Sequence, residues 1–254
     1  MKLRIGTLNC QNNKENRDIR NDNANVLATH IINNNYSILG TQELTINFTN
    51  RVKKILDNYK VVGRFQFGKG LLGTKLPIIR DYNQGNQIIT NLECISSKTY
   101  TMPWIPTNFK DLKKAWKKKS LTKRIITILH VVNDDNDIYI MNTHLDYYIP
   151  SVQQRQLNYI YIKIIKYQKK GFVVLMGDFN LDLDEEIFNE FINKLDSINI
   201  KRVPVNDKTN ASKYSEKSAI DHIFIPSNWN INNCGTFDKL DITDHKAVYV
   251  DIEI

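Results

Sequence analysis

Six short segments of the sequence place carboxylate, amide or imidazole side chains at or just after runs of strand-forming residues. The segments are Leu8–Cys10, Thr41–Leu44, Asn142–Asp146, Gly177–Asn180, Ser218–His222 and Thr243–His245. Carboxylate and amide oxygens are hard ligands that suit Mg²⁺ or Mn²⁺, and imidazoles exchange protons near neutral pH. The segments therefore predict metal-assisted acid–base chemistry on a charged substrate.

Cleaving a phosphoester asks a protein mainly for positioning and charge neutralisation. A water must be held in line, a metal must offset the charge of the phosphate, and an acid or base must handle a proton. Glu43, with Asn9 and Asp244, can form the metal site, for which Mg²⁺ is the expected ion and Mn²⁺ the alternative.

The other polar residues of these segments can supply the proton chemistry. Asp178 can act as a base toward water, with Asn180 orienting that water. His245 beside Asp221 can form a charge-assisted pair that stabilises the charge developing on the phosphoryl group. These four residues are the members of the predicted catalytic set that their own chemistry indicates.

Strand-type and helix-type runs alternate along the chain. Strands are predicted over Lys2–Leu8, Tyr36–Thr41, Lys60–Arg64, Gln87–Thr90, Cys94–Lys98, Arg124–Val132, Ile138–Asn142, Phe172–Met176, Ala219–Ile225 and Ala247–Ile254. Helices are predicted over Ala24–Ile32, Phe48–Leu56, Val152–Lys166 and Asp184–Leu195. Two hairpins are expected, one across residues 91–93 and one across residues 133–137. Strand pairs mixed with helical crossovers predict an α/β fold with two packed sheets.

The composition is that of a globular protein with a basic surface. The 254 residues are 41% hydrophobic and carry a formal charge of +8, and one domain spanning residues 1–254 is expected. The charge favours polyanionic partners such as nucleic acid, anionic lipid headgroups or phosphorylated metabolites. Three separated cysteines without metal-site spacing suit a reducing compartment. We expect a cytoplasmic monomer without a transmembrane segment.

The order and spacing of the six segments resemble the endonuclease/exonuclease/phosphatase superfamily of metal-dependent phosphoesterases. The resemblance runs from Asn9 to His245. It implies a four-layer α/β/β/α sandwich, with Glu43 as the chief metal ligand. It also implies that Arg124 and Asn180 contact the substrate phosphate. His144 would contact the phosphate or assist the leaving oxygen, which makes it the fifth member of the predicted catalytic set.

One position departs from the pattern of this superfamily. Several relatives carry a glutamate that supports the first catalytic histidine, whereas the corresponding stretch here, Tyr82–Ile88, has an amide at Gln84. An amide can orient an imidazole by hydrogen bonding but stabilises its charged form less than a carboxylate does. We therefore predict that His144 is mostly neutral near pH 7.

The segment Met102–Lys123 interleaves aromatic residues with lysines. It can be a nucleic-acid arm, an amphipathic helix on an anionic membrane, or a solvated helix whose Trp116 and Leu112 cover the core. Residues 68–75 resemble a phosphate loop but lack its full spacing, and we interpret them as a surface loop.

Two neighbours of the predicted site are expected to be structural. His222 follows Asp221 on a strand, so its side chain should point the opposite way, where it either packs or supports a site residue without touching substrate. The pair Arg155-Gln156 opens a helix and is expected to link that helix to a neighbouring loop.

The basic charge and the Lys/Trp-rich segment favour a nuclease. The alternatives are a phosphatase or phospholipid phosphodiesterase acting on inositol phosphates or lipid headgroups. A third possibility, of another class, is an inactive metal-dependent binding module, which the complete set of acidic and imidazole groups argues against.

Overall fold

The computed structural model describes residues 2–10, 20–65, 84–118, 122–210 and 219–254. Within them the chain forms two six-stranded sheets and five helices. The strands are β1 (Lys2–Asn9), β2 (Ile38–Thr45), β3 (Lys60–Val62), β4 (Gln84–Thr90), β5 (Cys94–Thr101), β6 (Ile125–Asn133), β7 (Asn136–His144), β8 (Phe172–Asp178), β9 (Ile200–Arg202), β10 (Asp221–Pro226), β11 (Asn230–Thr236) and β12 (Val248–Glu253). The helices are α1 (Arg20–Asn33), α2 (Ile46–Ile55), α3 (Phe109–Lys118), α4 (Pro150–Gln168) and α5 (Glu186–Asp196).

Both sheets are mixed, with one parallel pair each. The first has the order β11-β12-β1-β2-β4-β3, in which β1 and β2 are parallel. The second has the order β5-β6-β7-β8-β10-β9, in which β7 and β8 are parallel. In each parallel pair a helix connects the two strands, as a parallel crossover requires.

Strand residues alternate between two hydrophobic cores, as the period of two in a β-strand requires. Val174 and Met176 of β8 lie between the two sheets, where they meet residues such as Ile5 and Ile38 of the first sheet. Their neighbours on β8, Val173 and Leu175, face the opposite side and pack with α4 and α5.

The outer face of the first sheet is covered in the same way. Leu27 and Ile31 of α1 and Val52 of α2 pack with Leu39 and Ile89 of the sheet. The layers are therefore helix, sheet, sheet, helix, which confirms the predicted α/β/β/α sandwich. Of the described helices, none is long and apolar enough to cross a membrane.

The two predicted hairpins have different outcomes. The turn at Asp134-Asp135 joins β6 to β7 in antiparallel register, which confirms the second hairpin. The first hairpin is wrong, because β4 and β5 both form but pair in different sheets. The three residues 91–93 carry the chain from one sheet to the other, and a strand pattern alone contains no signal that separates these two connections.

Three elements were not assigned from the sequence. Strands β9 and β11 lie at the edges of their sheets, where few apolar residues are buried. Helix α3 lies inside the Lys/Trp-rich segment, for which two of the three interpretations were helices but no helix bounds were predicted.

Candidate active site

The predicted catalytic residues meet at one end of the two sheets. In the second sheet, Asp178 at the end of β8 is flanked by His144 at the end of β7 and by Asp221 at the start of β10. All three are at least 96% buried. Their side chains continue the rows that face the space between the sheets, so the strand register itself brings them together.

Both carboxylate oxygens of Asp178 accept hydrogen bonds. Asn9 Nδ2 donates to Oδ2 at 2.9 Å, and the backbone N–H of Asn180 donates to Oδ1 at 2.9 Å. His144 Nε2 lies 3.5 Å from Oδ2. Burial, followed by the negative charge of Asp221, raises the pKa of Asp178 to about 6. A carboxylate with this pKa can accept a proton near neutral pH.

Asn180 occupies a tight turn beyond β8. Its φ of 51° lies in the left-handed region, which asparagine tolerates better than most residues. Asn180 Nδ2 donates to the carbonyl oxygen of Leu145, so the turn is tied to the loop after β7.

His245 and Asp221 form a buried pair. Their Nδ1 and Oδ2 atoms are 2.8 Å apart, while Asp244 Oδ1 lies 3.8 Å from His245 Nε2. Burial lowers the pKa of His245, but the charge and hydrogen bond of Asp221, together with Asp178 and Asp244, raise it to about 10. The imidazole is therefore positively charged at neutral pH.

The loop that carries His245 is fixed to the first sheet. Thr243 Oγ1 donates to the carbonyl oxygen of Asn9 at 2.5 Å and accepts from the backbone N–H of His245 at 3.0 Å. Thr243 thus places Asp244 and His245 beside the end of β1.

Glu43 is presented by a β-bulge. The pairing of β2 with β4 shifts register between Thr41 and Leu44, and Glu43 has a φ of 61°. Such bulges redirect a side chain away from the regular alternation of a strand. The two carboxylate oxygens of Glu43 accept from Asn9 Nδ2 at 3.4 Å and from Gln84 Nε2 at 3.0 Å.

The partner of Gln84 differs from the expectation. Its amide donates to Glu43, and among the described residues no hydrogen bond joins it to His144. Burial, and then the positive charges of Arg124 and His245, lower the pKa of His144 well below its usual value. His144 is therefore neutral as predicted, but the cause is burial and neighbouring charge rather than the amide.

Arg124 lies just ahead of β6 and is 6% exposed. In the part of the chain that the structure describes, its Nε has no hydrogen-bond partner. A buried guanidinium with a donor unused and an effect on the pKa of His144 is positioned to receive an anion.

The donor set of the site fits a hard divalent cation. The oxygens of Glu43, Asn9 and Asp244 are of the kind that such ions prefer, and amide groups rather than other carboxylates hold Glu43 in place. Ligand atoms of Asp178, Asp221 and His245 also lie within 4.8 Å of one another. In that second group, however, His245 Nδ1 and Asp221 Oδ2 already bond to each other.

Sequence reasoning assigned no role to a layer of buried amides beneath the site. Asn142 Nδ2 donates to the carbonyl oxygens of Thr41 and Gln87 at 2.9 and 2.7 Å, and Asn142 Oδ1 accepts from Gln42 Nε2 at 2.7 Å. These bonds join the two sheets directly behind the bulge at Glu43. Asn142 and Gln42 both lie in the six polar segments of the sequence, but the spacing of these segments does not reveal that the two side chains face each other.

Two structural expectations are confirmed. His222 points away from the site and packs on Phe188, with ring centroids 4.7 Å apart. Gln156 accepts from the backbone N–H of Asp146 and donates to the carbonyl oxygen of Pro103, so α4 is linked to two neighbouring loops. The predicted surface loop at residues 68–75 lies outside the described residues.

Comparisons with known proteins agree on the fold. The model of the Endonuclease/Exonuclease/phosphatase family matches residues 6–245. Similar solved structures include an endonuclease/exonuclease/phosphatase from Bacteroides vulgatus, with a TM-score of 0.77 and 17% identity over 100% of this chain and 99% of that chain. A comparison with curated protein sequences found no significant match.

Two further similar structures have more specific descriptions. A mannosyl-6-phosphatase from Bacteroides thetaiotaomicron has a TM-score of 0.75 and 18% identity over 99% of this chain and 100% of that chain. TDP2 from D. rerio, in complex with a single-strand DNA product, has a TM-score of 0.70 and 16% identity over 100% of this chain and 99% of that chain.

Proposed function

Because the chain belongs to the endonuclease/exonuclease/phosphatase family, it is a metal-dependent phosphoester hydrolase, and we propose that it is a Mg²⁺-dependent nuclease. It would cleave phosphodiester bonds by in-line attack of water, without a covalent intermediate. The observation that carries this proposal is the buried carboxylate of Asp178, held on both oxygens and flanked by the Asp221–His245 pair.

Asp178 is the proposed base. The hydrogen bonds from Asn9 and Asn180 fix its orientation, and its raised pKa of about 6 leaves it ionised yet basic at neutral pH. It would take a proton from water as the water oxygen bonds to phosphorus. The P–O bond on the opposite side breaks, and the leaving oxygen is protonated by solvent.

His245 and Arg124 are proposed to stabilise the charge that develops on the phosphoryl oxygens. His245 is positively charged because Asp221 holds its proton in place, and Arg124 has an unused donor in the described structure. His144 is neutral and can donate one hydrogen bond to the phosphate or to the leaving oxygen. Asn180 would contact the same phosphate through its side-chain amide.

Glu43, with Asn9 and Asp244, would hold the metal. A divalent cation there, proposed to be Mg²⁺ with Mn²⁺ as a substitute, would offset the negative charge of the phosphate. The amides of Asn9 and Gln84 keep the Glu43 carboxylate oriented toward the site.

Nucleic acid is the proposed substrate class. The formal charge of +8 raises the local concentration of polyanions, and a structure of the same fold holds a single-strand DNA product. A second candidate is a phosphatase, favoured by the likeness to a mannosyl-6-phosphatase over the full length of both chains.

We further propose that residues 1–254 form one domain that acts as a cytoplasmic monomer. The family match from residue 6 to residue 245 supports a single domain. The free cysteines Cys10, Cys94 and Cys234 are compatible with a reducing compartment.

A substrate panel tests the proposal. The wild-type chain and His245→Ala, prepared identically, would be given supercoiled plasmid, a single-stranded oligonucleotide, inositol phosphates and a sugar 6-phosphate, each with Mg²⁺ or EDTA. We expect Mg²⁺-dependent nucleic-acid cleavage by the wild type alone. Hydrolysis of the monoesters without nucleic-acid cleavage would establish the phosphatase, and metal-dependent binding without turnover would establish a binding module.

A further inference from the structure

Helix α3 exposes two large aromatic side chains between lysines. Phe109 is 79% exposed and Trp116 is 54% exposed, and Lys110 and Lys113 beside them are also exposed. Phe109 and Trp116 are seven residues apart, so they lie on one side of the helix two turns apart. Lys113 follows Phe109 by four positions and precedes Trp116 by three, so it lies between the two rings.

Helix α3, which carries these exposed rings, is packed against the rest of the protein on another side. Ala115 is fully buried and packs with Ile149 and Val152 near the start of α4. Asp111 Oδ2 accepts a hydrogen bond from Ser151 Oγ at 2.5 Å. That side of α3 is therefore already occupied, and Trp116 does not cover the core as one interpretation of the sequence had it.

The loop after β7 connects this helix to the catalytic site. Tyr147, three residues beyond His144, is 47% exposed, and its ring centroid lies 6.0 Å from that of Tyr148. Lys114 Nζ on α3 lies 4.8 Å from the centroid of the Tyr148 ring. The contact between Lys114 and Tyr148 thus joins α3 to the loop that follows His144.

We propose that α3 and Tyr147-Tyr148 form a binding surface for single-stranded nucleic acid, which leads the strand into the catalytic site. This proposal rests on the proposed nuclease function. Unpaired bases can stack on exposed rings while lysines contact the intervening phosphates. Bases in a duplex are already stacked and paired, so their faces are not available to rings outside the helix.

The distribution of residues favours nucleic acid over an anionic membrane. A helix lying on a membrane inserts a continuous apolar face into the lipid. The apolar residues of α3 share one side of the helix, but Ala115 on that side packs against α4. Of these apolar residues, the separate rings of Phe109 and Trp116 stay exposed, with Lys113 beside them, and such rings next to a lysine suit stacked bases and their phosphates.

The test measures binding and cleavage separately. Binding of a fluorescent 12-nucleotide single strand and of the matching duplex would be measured with Mg²⁺ in an Asp178→Asn background, which prevents cleavage. The variants are Phe109→Leu/Trp116→Leu, Phe109→Tyr/Trp116→Tyr and Lys110→Ala/Lys113→Ala. The controls change exposed residues on other helices, Lys53→Ala/Lys54→Ala on α2 and Ile162→Ala on α4.

The leucine variant is expected to weaken single-strand binding about tenfold or more, whereas the tyrosine variant keeps it, because stacking needs a ring. The variant lacking both lysines should reduce the slope of log Kd against log salt by about two. Duplex binding and both controls should change less than twofold. In the otherwise wild-type chain, the leucine variant should hydrolyse bis(p-nitrophenyl) phosphate normally.

Unchanged single-strand binding by the leucine variant would overturn this inference. An equal loss of affinity for duplex and single strand in the leucine variant would also overturn it. So would binding of the chain to vesicles containing phosphatidylserine that depends on Trp116, if the same substitution leaves the oligonucleotide affinity unchanged. Failure of the nuclease function itself has a different signature, because the chain with Asp178 intact would then leave bound oligonucleotides uncleaved.

Discussion

At the scale of single residues, one buried carboxylate raises the pKa of two neighbouring groups. Burial and Asp221 raise the pKa of Asp178 to about 6, and Asp221 holds that of His245 at about 10. Between these values the proposed base, Asp178, is ionised and the proposed stabilising imidazolium, His245, is protonated, as their proposed roles require. The charge of Asp221 is common to both effects.

We predict that Asp221→Asn moves both limbs of the pH–rate profile to lower pH. Activity is lost below the pKa of Asp178 and above that of His245, and removal of the Asp221 charge lowers both pKa values. The measurement is kcat/KM against pH for the wild type and the variant with the same substrate. An alkaline limb that stays in place would show that Asp221 does not sustain the charge on His245.

His222 provides a prediction about stability. It is 2% exposed among phenylalanine rings, and burial, followed by the charge of Arg202, lowers its pKa to about 4. Between pH 6.5 and 4 the unfolded chain takes up a proton that the folded chain does not, so stability falls as the pH drops through that window. Between pH 7.5 and pH 5 the wild type should therefore lose about 2 kcal/mol more free energy of unfolding than His222→Phe does.

Urea unfolding of the wild type and His222→Phe at the two pH values measures this difference. Parallel behaviour of the two chains would show that His222 is protonated in the folded state. The variant should keep normal activity, since the side chain points away from the site.

At the scale of elements, special backbone positions aim the functional groups. The bulge in β2 turns Glu43 out of the strand alternation. Gly177, with a φ of 148°, brings β8 so close to β7 that an added Cβ would lie 2.1 Å from the carbonyl oxygen of Thr143. The sequence identified the polar segments at these places, but neither the bulge nor this close approach has a signature in residue type alone.

The amide layer yields a prediction at this scale. Asn142→Ala removes three buried hydrogen bonds between the sheets, although Gln42 Nε2 and the Gln87 carbonyl oxygen each keep one other hydrogen bond. Because each lost buried hydrogen bond costs roughly 1 kcal/mol, we expect a loss of about 3 kcal/mol in the free energy of unfolding. Urea unfolding measures it, with the exposed Asn232→Ala as the matched control.

Activity should fall together with stability in this variant. The lost bonds attach Thr41, which precedes the bulge, to β7, which carries His144. A variant as stable as Asn232→Ala would show that the amide layer does not hold the sheets together.

At the scale of the whole molecule, most of the architecture could be predicted from the sequence. Long strands such as β6 and β8 are rich in buried aliphatic residues. Their strand-forming residue types therefore predicted them from the sequence directly. The pairing of β4 and β5 in different sheets could not be predicted, because pairing depends on contacts between distant parts of the chain. The structure brings the candidate site residues together and their roles stay predictions, whereas the partner of Gln84 was not predicted.

Metal binding should stabilise the whole fold. At a Mg²⁺ concentration 100 times its Kd, binding contributes about 2.7 kcal/mol, which corresponds to a rise in Tm of roughly 5–10 °C for a chain of this size. Glu43→Gln should lose most of this rise, whereas the exposed Glu93→Gln should keep it. Thermal unfolding with increasing Mg²⁺ measures the effect, and an equal rise in both variants would place the metal elsewhere.

The central claim is that Asp178 activates water for attack on a phosphodiester. The most direct test is single-turnover cleavage of a labelled oligonucleotide with Mg²⁺ by the wild type, Asp178→Asn and the exposed control Asp184→Asn. We predict that Asp178→Asn slows cleavage by about 10²–10⁴-fold, while Asp184→Asn cleaves at the wild-type rate. Near-normal cleavage by Asp178→Asn would contradict the account.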